Sequence, residues 1–306
     1  MLEPTAITGT SPADPFTAAA ALATLRESCQ AAGLPCDGAE LIRLGENAIF
    51  RLARDRAVVR IARNLHVLAD AEKEVAVASW LRDAHIAAAE TMGNPQPVIA
   101  RGRPVTFWKL IDDTGAKATT AELGAILRRL HALPVPDSVP LPQLDMFDRV
   151  AERIAAADIT GADRAFLAGR LSSLRAAYQD LRYVLPPSAV HGDAHQGNLI
   201  KRPDGTAVLI DFERFAFGHP ETDLSVTATE YLIGWHTAEE YAAFVRAYGH
   251  DVMDWAGFPV IRAVNELKMT TWLMQNIGES DHIAAEFRTR LASLRDNTAP
   301  RGWQPF

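Results

Sequence analysis

The hydrophobic period of this 306-residue chain changes once, at Ile111-Asp112-Asp113-Thr114-Gly115, and that change limits the folds open to it. Before it, apolar residues alternate over short runs at 40–44, 48–52, 57–62, 98–100 and 104–111. Turn residues such as Gly45-Glu46-Asn47 and Asp55-Arg56 separate them. Period-two runs between tight turns predict an antiparallel sheet of about five strands. Helices are predicted at 15–32, opened by Asp14-Pro15 and closed by Gly33, and at 68–83, with Val75, Ala78 and Leu81 on one face. Residues 1–14 read as unstructured. After the change the period is helical. Leu123, Ile126, Leu127 and Leu130 form an i, i+3, i+4, i+7 stripe over 119–133. Further helices are predicted at about 143–157, 162–183, 220–233, 237–248, 258–277 and 281–296. The fold class implied is α+β in two lobes with a cleft between them: 1–112, a small sheet with a helix, and 113–306, mainly helical.

Charge and cysteine usage narrow the function classes. The net charge is −7 and no basic run is present, so nucleic acid is not an expected partner. Cys29 and Cys36 cannot make a disulfide framework, which points to a reducing, cytoplasmic setting. The opening MLEPTAITGTSPADPF lacks the pattern of a secretory signal, and no stretch approaches the roughly 20 apolar residues of a membrane helix. A monomer or homodimer off the membrane is the expectation.

One hairpin interrupts the helical lobe, inside VHGDAHQGNLIKRPDGTAVLIDFERFAFGHPETD, residues 190–223. Pro203-Asp204-Gly205 is turn chemistry, because Pro presets φ and Gly accepts φ > 0. Polar groups gather at the open ends of that hairpin: Asp193 and Asn198 before it, Asp211 and Glu213 after it. Phosphoryl transfer to a hydroxyl needs a carboxylate near the acceptor and oxygen ligands for a metal ion. His191-Gly192-Asp193 with Asn198 five positions on, then Asp211-Phe212 on the next strand, has the spacing of a kinase catalytic loop and its second metal-binding Asp.

HGDAHQGN together with LIDFERFAFGHPETDLS resembles the aminoglycoside phosphotransferase/choline kinase-like family, small-molecule kinases with the protein-kinase fold. The resemblance spans roughly 40–280 and is looser away from these motifs. It implies that Asp193 is the catalytic residue and that Asn198 and Asp211 hold Mg²⁺. It places Arg60 where a phosphate-binding Lys is usual, a departure from protein kinases, since Arg and Lys are not geometrically equivalent. Glu74 matches the helix Glu that orients that cation, with Glu72 as the fallback. Gly45 and Asn47 fall in a phosphate loop lacking the full glycine pattern, and Trp108 and Leu110 at the hinge where backbone groups would bond adenine. ATP or GTP with Mg²⁺ is the implied cofactor, and a small-molecule hydroxyl the implied acceptor. An aminoglycoside, and with it antibiotic resistance, is the first expectation; a choline-like alcohol, a sugar, an amino acid or another primary metabolite is the alternative.

Each of these residues also has an ordinary reading. His191 and His195 read as organisers of the loop, Glu213 and Asp223 as structural support, Asp223 at the first turn of a helix where the macrodipole favours an acid. Glu230, Trp235 and Trp272 are candidates for the acceptor pocket, although aromatic residues such as Tyr231, Trp235, Trp255 and Trp272 are more often core. Glu230, Glu239, Glu240 and Glu266 read as solvated faces unless they line the cleft, where they would attract a cation. Two other functions stay open: a metallohydrolase using His191, Asp193, His195, Asp211 and His219, and a nucleotide-binding regulator without catalysis.

Overall fold

The computed structural model describes residues 16–296 and 298–305, so residues 1–14 and the Asp14-Pro15 helix opening lie outside the described residues. The chain divides into two compact units, residues 1–112 and 113–306. The architecture is α+β.

The first unit is α1 (Ala18–Ala32), β1 (Glu40–Leu44), β2 (Asn47–Leu52), β3 (Ala57–Ala62), α2 (Leu68–Asp83), β4 (Val98–Ala100) and β5 (Arg103–Lys109). The strands make one antiparallel sheet, ordered β1-β2-β3-β5-β4. Thr17 caps α1 by accepting from Ala20 N, and Gly33 ends it with φ +71, a left-handed cap that glycine enters without a Cβ clash. Alternation decides what each face does. Phe50 pairs with Val59, which pairs with Phe107, and Ala48 with Ile61, which pairs with Val105. These side chains are buried with Ala21, Leu25 and Cys29 of α1. Asn47, Ile49, Arg60 and Thr106 therefore share the opposite face.

Two expectations change here. The buried face of α2 runs through Glu74, Val77, Ala78 and Leu81, and Val75 is only half-buried. A hydrophobic stripe drawn from residue type alone selects Val75; the helix is turned to bury a carboxylate because Arg60 meets it. The strand expected over 104–111 stops at Lys109: Leu110 N still donates to Arg56 O at 2.7 Å in the same register, but Arg56 turns to φ +50 and the partner strand goes no further.

The second unit carries α3 (Thr120–His131), α4 (Val150–Ala156), α5 (Gly161–Gln179), β6 (Ser188–Val190), β7 (Leu199–Lys201), β8 (Ala207–Leu209), β9 (Ala216–Gly218), α6 (Glu221–Leu232), α7 (Ala238–Tyr248), α8 (Phe258–Leu273) and α9 (Asp281–Arg295). Thr119 and Glu122 form a capping box at α3, and Thr237 and Glu240 another at α7. Those two helices pack so closely that a Cβ on Gly124 would lie 2.7 Å from Phe244 O. The helix expected over 143–157 begins only at Val150, because the backbone before it pairs elsewhere: Leu144 N donates to Phe217 O and Phe217 N to Pro142 O. The helix expected to reach 183 ends at Gln179.

Two small antiparallel pairs, β7 with β8 and β6 with β9, set the positions that matter for function. The β7–β8 turn closes with Gly205 at φ +86 and Gly205 N donating to Arg202 O at 3.0 Å. His191 directly follows β6, and Asp211 lies two residues beyond β8.

Candidate active site

The loop after β6 is fixed from beneath by one carboxylate. Asp223, buried in the first turn of α6, accepts the backbone N–H of His191 at 2.7 Å and of Gly192 at 2.9 Å, and faces His131 Nε2 at 3.0 Å. Burial alone would push the Asp223 carboxyl up. The His131 hydrogen bond, the charges of His131 and His191 and the His191 N–H outweigh it and hold the pKa below its usual value. Gly192 takes φ +80, and a Cβ there would meet Arg214 O at 2.3 Å, so this loop position admits only glycine. His191 is fully buried, with Nε2 bonded to Ile210 O at 2.9 Å. It ties the loop to the strand that leads to Asp211 and is enclosed away from any reacting group.

Asp193 sits on top of that platform with its carboxylate about half exposed. Its carbonyl accepts from Asn198 Nδ2 at 2.8 Å and from His195 N at 3.1 Å. Asn198 is buried, and with its NH₂ committed to Asp193 its Oδ1 is the atom left to act as a ligand. His195 Nδ1 accepts from Gly197 N at 3.1 Å, which puts the proton of the neutral ring on Nε2, 3.8 Å from Asp193 Oδ2. Asp211 is exposed and holds φ +65, a left-handed conformation in a residue with a Cβ.

In the first unit, Arg60 Nη1 donates to Glu74 Oε2 at 2.5 Å. Asn47, with its amide oxygen turned to the guanidinium, accepts from Arg60 Nε at 3.1 Å and Nη2 at 3.0 Å. Asn47 and Arg60 thus act on one face of the sheet, while Glu72 is exposed and takes no part in the Arg60–Glu74 pair. Gly45 N donates to Asn47 O and Gly45 O accepts from Arg63, so this glycine closes a tight loop. Trp108 Nε1 donates to Thr106 Oγ1 at 2.9 Å. Leu110 N donates to Arg56 O at 2.7 Å, so its N–H is committed within the first unit.

Other candidates fall elsewhere. Glu213 pairs with Arg149 at 3.0 Å. Trp235 Nε1 donates to Trp303 O, and Arg290 lies over its ring, so it anchors the C-terminal segment. Trp272 is 44% exposed on α8. The acids expected on solvated faces are partly the reverse: Glu230 is buried against His236 at 3.0 Å, and Glu266 is buried between Arg262 at 2.9 Å and Arg301 at 3.0 Å. His219 stacks on Tyr183 at 3.8 Å and faces Leu185 O through Nδ1, so it stands apart from the loop histidines. Among the described residues no group of three or more His, Cys, Asp or Glu side chains could hold a metal ion.

The sequence profile of the phosphotransferase enzyme family matches residues 41–263, a span that includes Asp193, Asn198 and Asp211. The chain belongs to this family. It is accordingly a phosphotransferase with an alcohol group as acceptor. Solved structures of the same fold include an amicoumacin kinase in complex with AMP-PNP and Ca²⁺, with a TM-score of 0.67 at 15% identity, covering 88% of this chain and 91% of that one. A microcompartment-associated aminopropanol kinase gives 0.67 at 16% identity, covering 92% and 99%. An aminoglycoside phosphotransferase bound to GDP and kanamycin gives 0.64 at 15% identity, covering 90% and 99%. No curated protein matches the chain. Among the described residues, no helix of this family member is long and apolar enough to cross a membrane.

Three residues near the loop escape sequence reasoning. His131 supports Asp223 from α3 and bonds Tyr248 OH through Nδ1 at 3.0 Å. Arg214 abuts Gly192 and pairs with Asp148 at 3.2 Å. Lys268, half-buried on α8, lies in the electrostatic field of Asp193; burial, then repulsion from Arg214, pulls its ammonium down to about 8. The only signal in the sequence is that Lys268 is one of few lysines in an arginine-rich chain.

Proposed function

We propose that this enzyme transfers the terminal phosphoryl group of a nucleoside triphosphate, ATP before GTP, to the hydroxyl of a small molecule, with Asp193 as the catalytic carboxylate. The observation that carries this reading is the half-exposed Asp193 carboxylate on a backbone held by Asp223, beside an Asn198 amide whose oxygen is turned free of Asp193. Asp193 would align the acceptor hydroxyl and accept its proton. The acceptor oxygen then forms the bond to the γ-phosphorus as the bond to the β–γ bridging oxygen breaks, leaving the nucleoside diphosphate. The transition state is loose, so rate comes from alignment and charge neutralisation.

Asn198 and Asp211 would hold Mg²⁺. Two oxygen ligands, one amide and one carboxylate, suit a hard cation that keeps waters and takes phosphate oxygens as further ligands. When bound, the ion neutralises charge developing on the phosphates. The AMP-PNP and Ca²⁺ of the amicoumacin kinase and the GDP of the aminoglycoside phosphotransferase support nucleotide and divalent-ion binding by this fold. In the first unit, Arg60, oriented by Glu74 and Asn47, would bind α- or β-phosphate oxygens through its fork of donors. Backbone groups around Trp108 and Leu110 would face adenine.

For the acceptor, a metabolic alcohol is favoured over an aminoglycoside. A polycationic antibiotic calls for uncommitted acids in the helical unit, whereas Glu230 and Glu266 are already matched by His236 and two arginines. A resistance role is therefore the weaker reading.

The test is direct. Full-length protein is incubated with ATP and Mg²⁺ and a library of alcohols, and ADP and phosphomonoester are measured. Formation of both in equal amounts with at least one alcohol is expected. Zinc at one per chain, with no thermal stabilisation by ATP, would instead revive the hydrolase alternative.

A further inference from the structure

His195, just beyond Asp193 on the same loop, is locked in one orientation and one tautomer. Gly197 N donates to His195 Nδ1 at 3.1 Å. A backbone N–H can only donate, so Nδ1 presents a lone pair and the neutral ring carries its proton on Nε2. Gly197 also makes room for the ring, because a Cβ there would lie 2.7 Å from Cε1 and 2.8 Å from Nδ1 of His195. The backbone beneath is tied in turn. His195 N donates to Asp193 O at 3.1 Å, Asn198 N to His195 O at 3.0 Å, and Gln196 Nε2 to Ala118 O at 2.9 Å.

The nitrogen that bears the proton lies 3.8 Å from Asp193 Oδ2. Among the described residues, no hydrogen bond reaches either carboxylate oxygen of Asp193, whose own bonds run through its carbonyl. Arg214, packed against Gly192, turns its guanidinium to Asp148 at 3.2 Å. Hydrogen bonds in catalytic sites are often long before substrate binds and tighten in the ligated complex. The terminal torsion of an aspartate is broad, and this side chain is about half exposed. A turn of the carboxylate therefore brings Oδ2 onto a donor already in place.

We propose that His195 is a positioning residue for phosphoryl transfer: its Nε2–H donates to Asp193 Oδ2, and the carboxylate so held presents Oδ1 to the acceptor hydroxyl. The hydroxyl proton passes to Oδ1 as the acceptor oxygen bonds the γ-phosphorus and the nucleoside diphosphate departs. A carboxylate with one oxygen bound is aligned before the acceptor arrives, and alignment is where a loose transition state gains rate. This inference rests on the phosphotransfer reading given above and extends it from Asp193 to the residue that orients it.

Two substitutions separate the two ring nitrogens. His195→Asn places an amide oxygen near the position of Nδ1, so Gly197 N keeps an acceptor while Asp193 loses its donor. His195→Gln places an amide nitrogen near the position of Nε2 and restores that donor. Phosphate transfer from γ-labelled ATP with Mg²⁺ is read for the wild type and both variants. The acceptor is the best used of glycerol, choline, 1-amino-2-propanol and kanamycin, or water where none of these is used. His195→Asn should melt close to the wild type and lower kcat by about 10–100-fold, the effect of losing a hydrogen bond to a charged group. The nucleotide KM should change by less than about twofold. His195→Gln should recover most of kcat, and Gly197→Ala, which pushes the ring aside, should lower kcat as His195→Asn does. Independently of activity, ring-nitrogen NMR of histidine-labelled protein should place the His195 proton on Nε2. Wild-type kcat in His195→Asn, an effect on nucleotide KM alone, a His195→Gln no better than His195→Asn, or a neutral ring with its proton on Nδ1 would overturn the inference. A wild type that neither transfers phosphate nor hydrolyses ATP would instead overturn the phosphotransfer reading on which it rests.

Discussion

Asp223 accepts the backbone N–H groups of His191 and Gly192 at 2.7 and 2.9 Å, from 32 and 31 residues further along the chain. A single buried carboxylate thereby sets the path of the segment that presents Asp193, while His131 Nε2 meets it at 3.0 Å. Asp223→Ala leaves two buried N–H donors and a histidine without their acceptor. The expected loss of stability is about 3–5 kcal/mol, read as a shift of the urea midpoint at unchanged m. Asp223→Asn keeps one acceptor oxygen and should lose less.

The same residue gives a pH dependence with a definite sign. The folded-state pKa of Asp223 is lowered below 3.8, against the push of burial. Its contribution to stability is therefore complete above the unfolded carboxylate pKa of about 4 and is lost as the pH falls toward the folded value. The difference in unfolding free energy between the wild type and Asp223→Asn should be constant from about pH 5 to 7 and shrink below about pH 4. Urea titrations across that range measure it; a difference that grows in acid has the wrong sign for this account.

Arg60 and Glu74 form a pair whose stability and function can be separated. Glu74 is buried, so Arg60→Met removes a partner that the carboxylate faces at 2.5 Å and should cost about 3 kcal/mol. Arg60→Met combined with Glu74→Met removes both charges and should recover most of that loss. Nucleotide affinity should stay low in both, since neither retains the cation. A thermodynamic cycle on unfolding, run beside ATP binding by calorimetry, distinguishes the two effects.

Asp211 holds φ +65, and a left-handed residue with a Cβ costs about 1 kcal/mol. Asp211→Gly relieves that strain, so the protein without ligand should gain roughly 1 kcal/mol in urea unfolding. It should at the same time lose the Mg²⁺-dependent stabilisation by ATP. Gain of stability with loss of ligand response is the pattern of a residue kept in place for function.

Local spacing explains what the sequence makes legible. Asp193 and Asn198 are five positions apart, and the bond between Asn198 Nδ2 and Asp193 O needs only the intervening loop to turn. Arg60 between Val59 and Ile61 is turned from the core by strand alternation, which is a period of two and nothing more. What distance in sequence hides is different in kind. His131 reaches Asp223 across 92 residues. The helix start at Val150 is set by pairing with Phe217, and the turning of α2 to bury Glu74 by an arginine on another element. No local pattern encodes such partners. The acids Glu230 and Glu266 mislead in part for the same reason, since His236 lies on the far side of a turn and Arg301 comes from the C-terminal segment, although Arg262 is one turn away on the helix of Glu266.

The central claim is tested most directly at Asp193. Its carboxylate is half exposed, and the loop geometry rests on its carbonyl and on Asp223, so Asp193→Ala should fold and bind ATP·Mg²⁺ as the wild type does. Transfer of phosphate from γ-labelled ATP to an alcohol accepted by the wild type should fall by ~10²–10⁴-fold, the range for loss of a general base. Retention of wild-type transfer by Asp193→Ala would contradict the account.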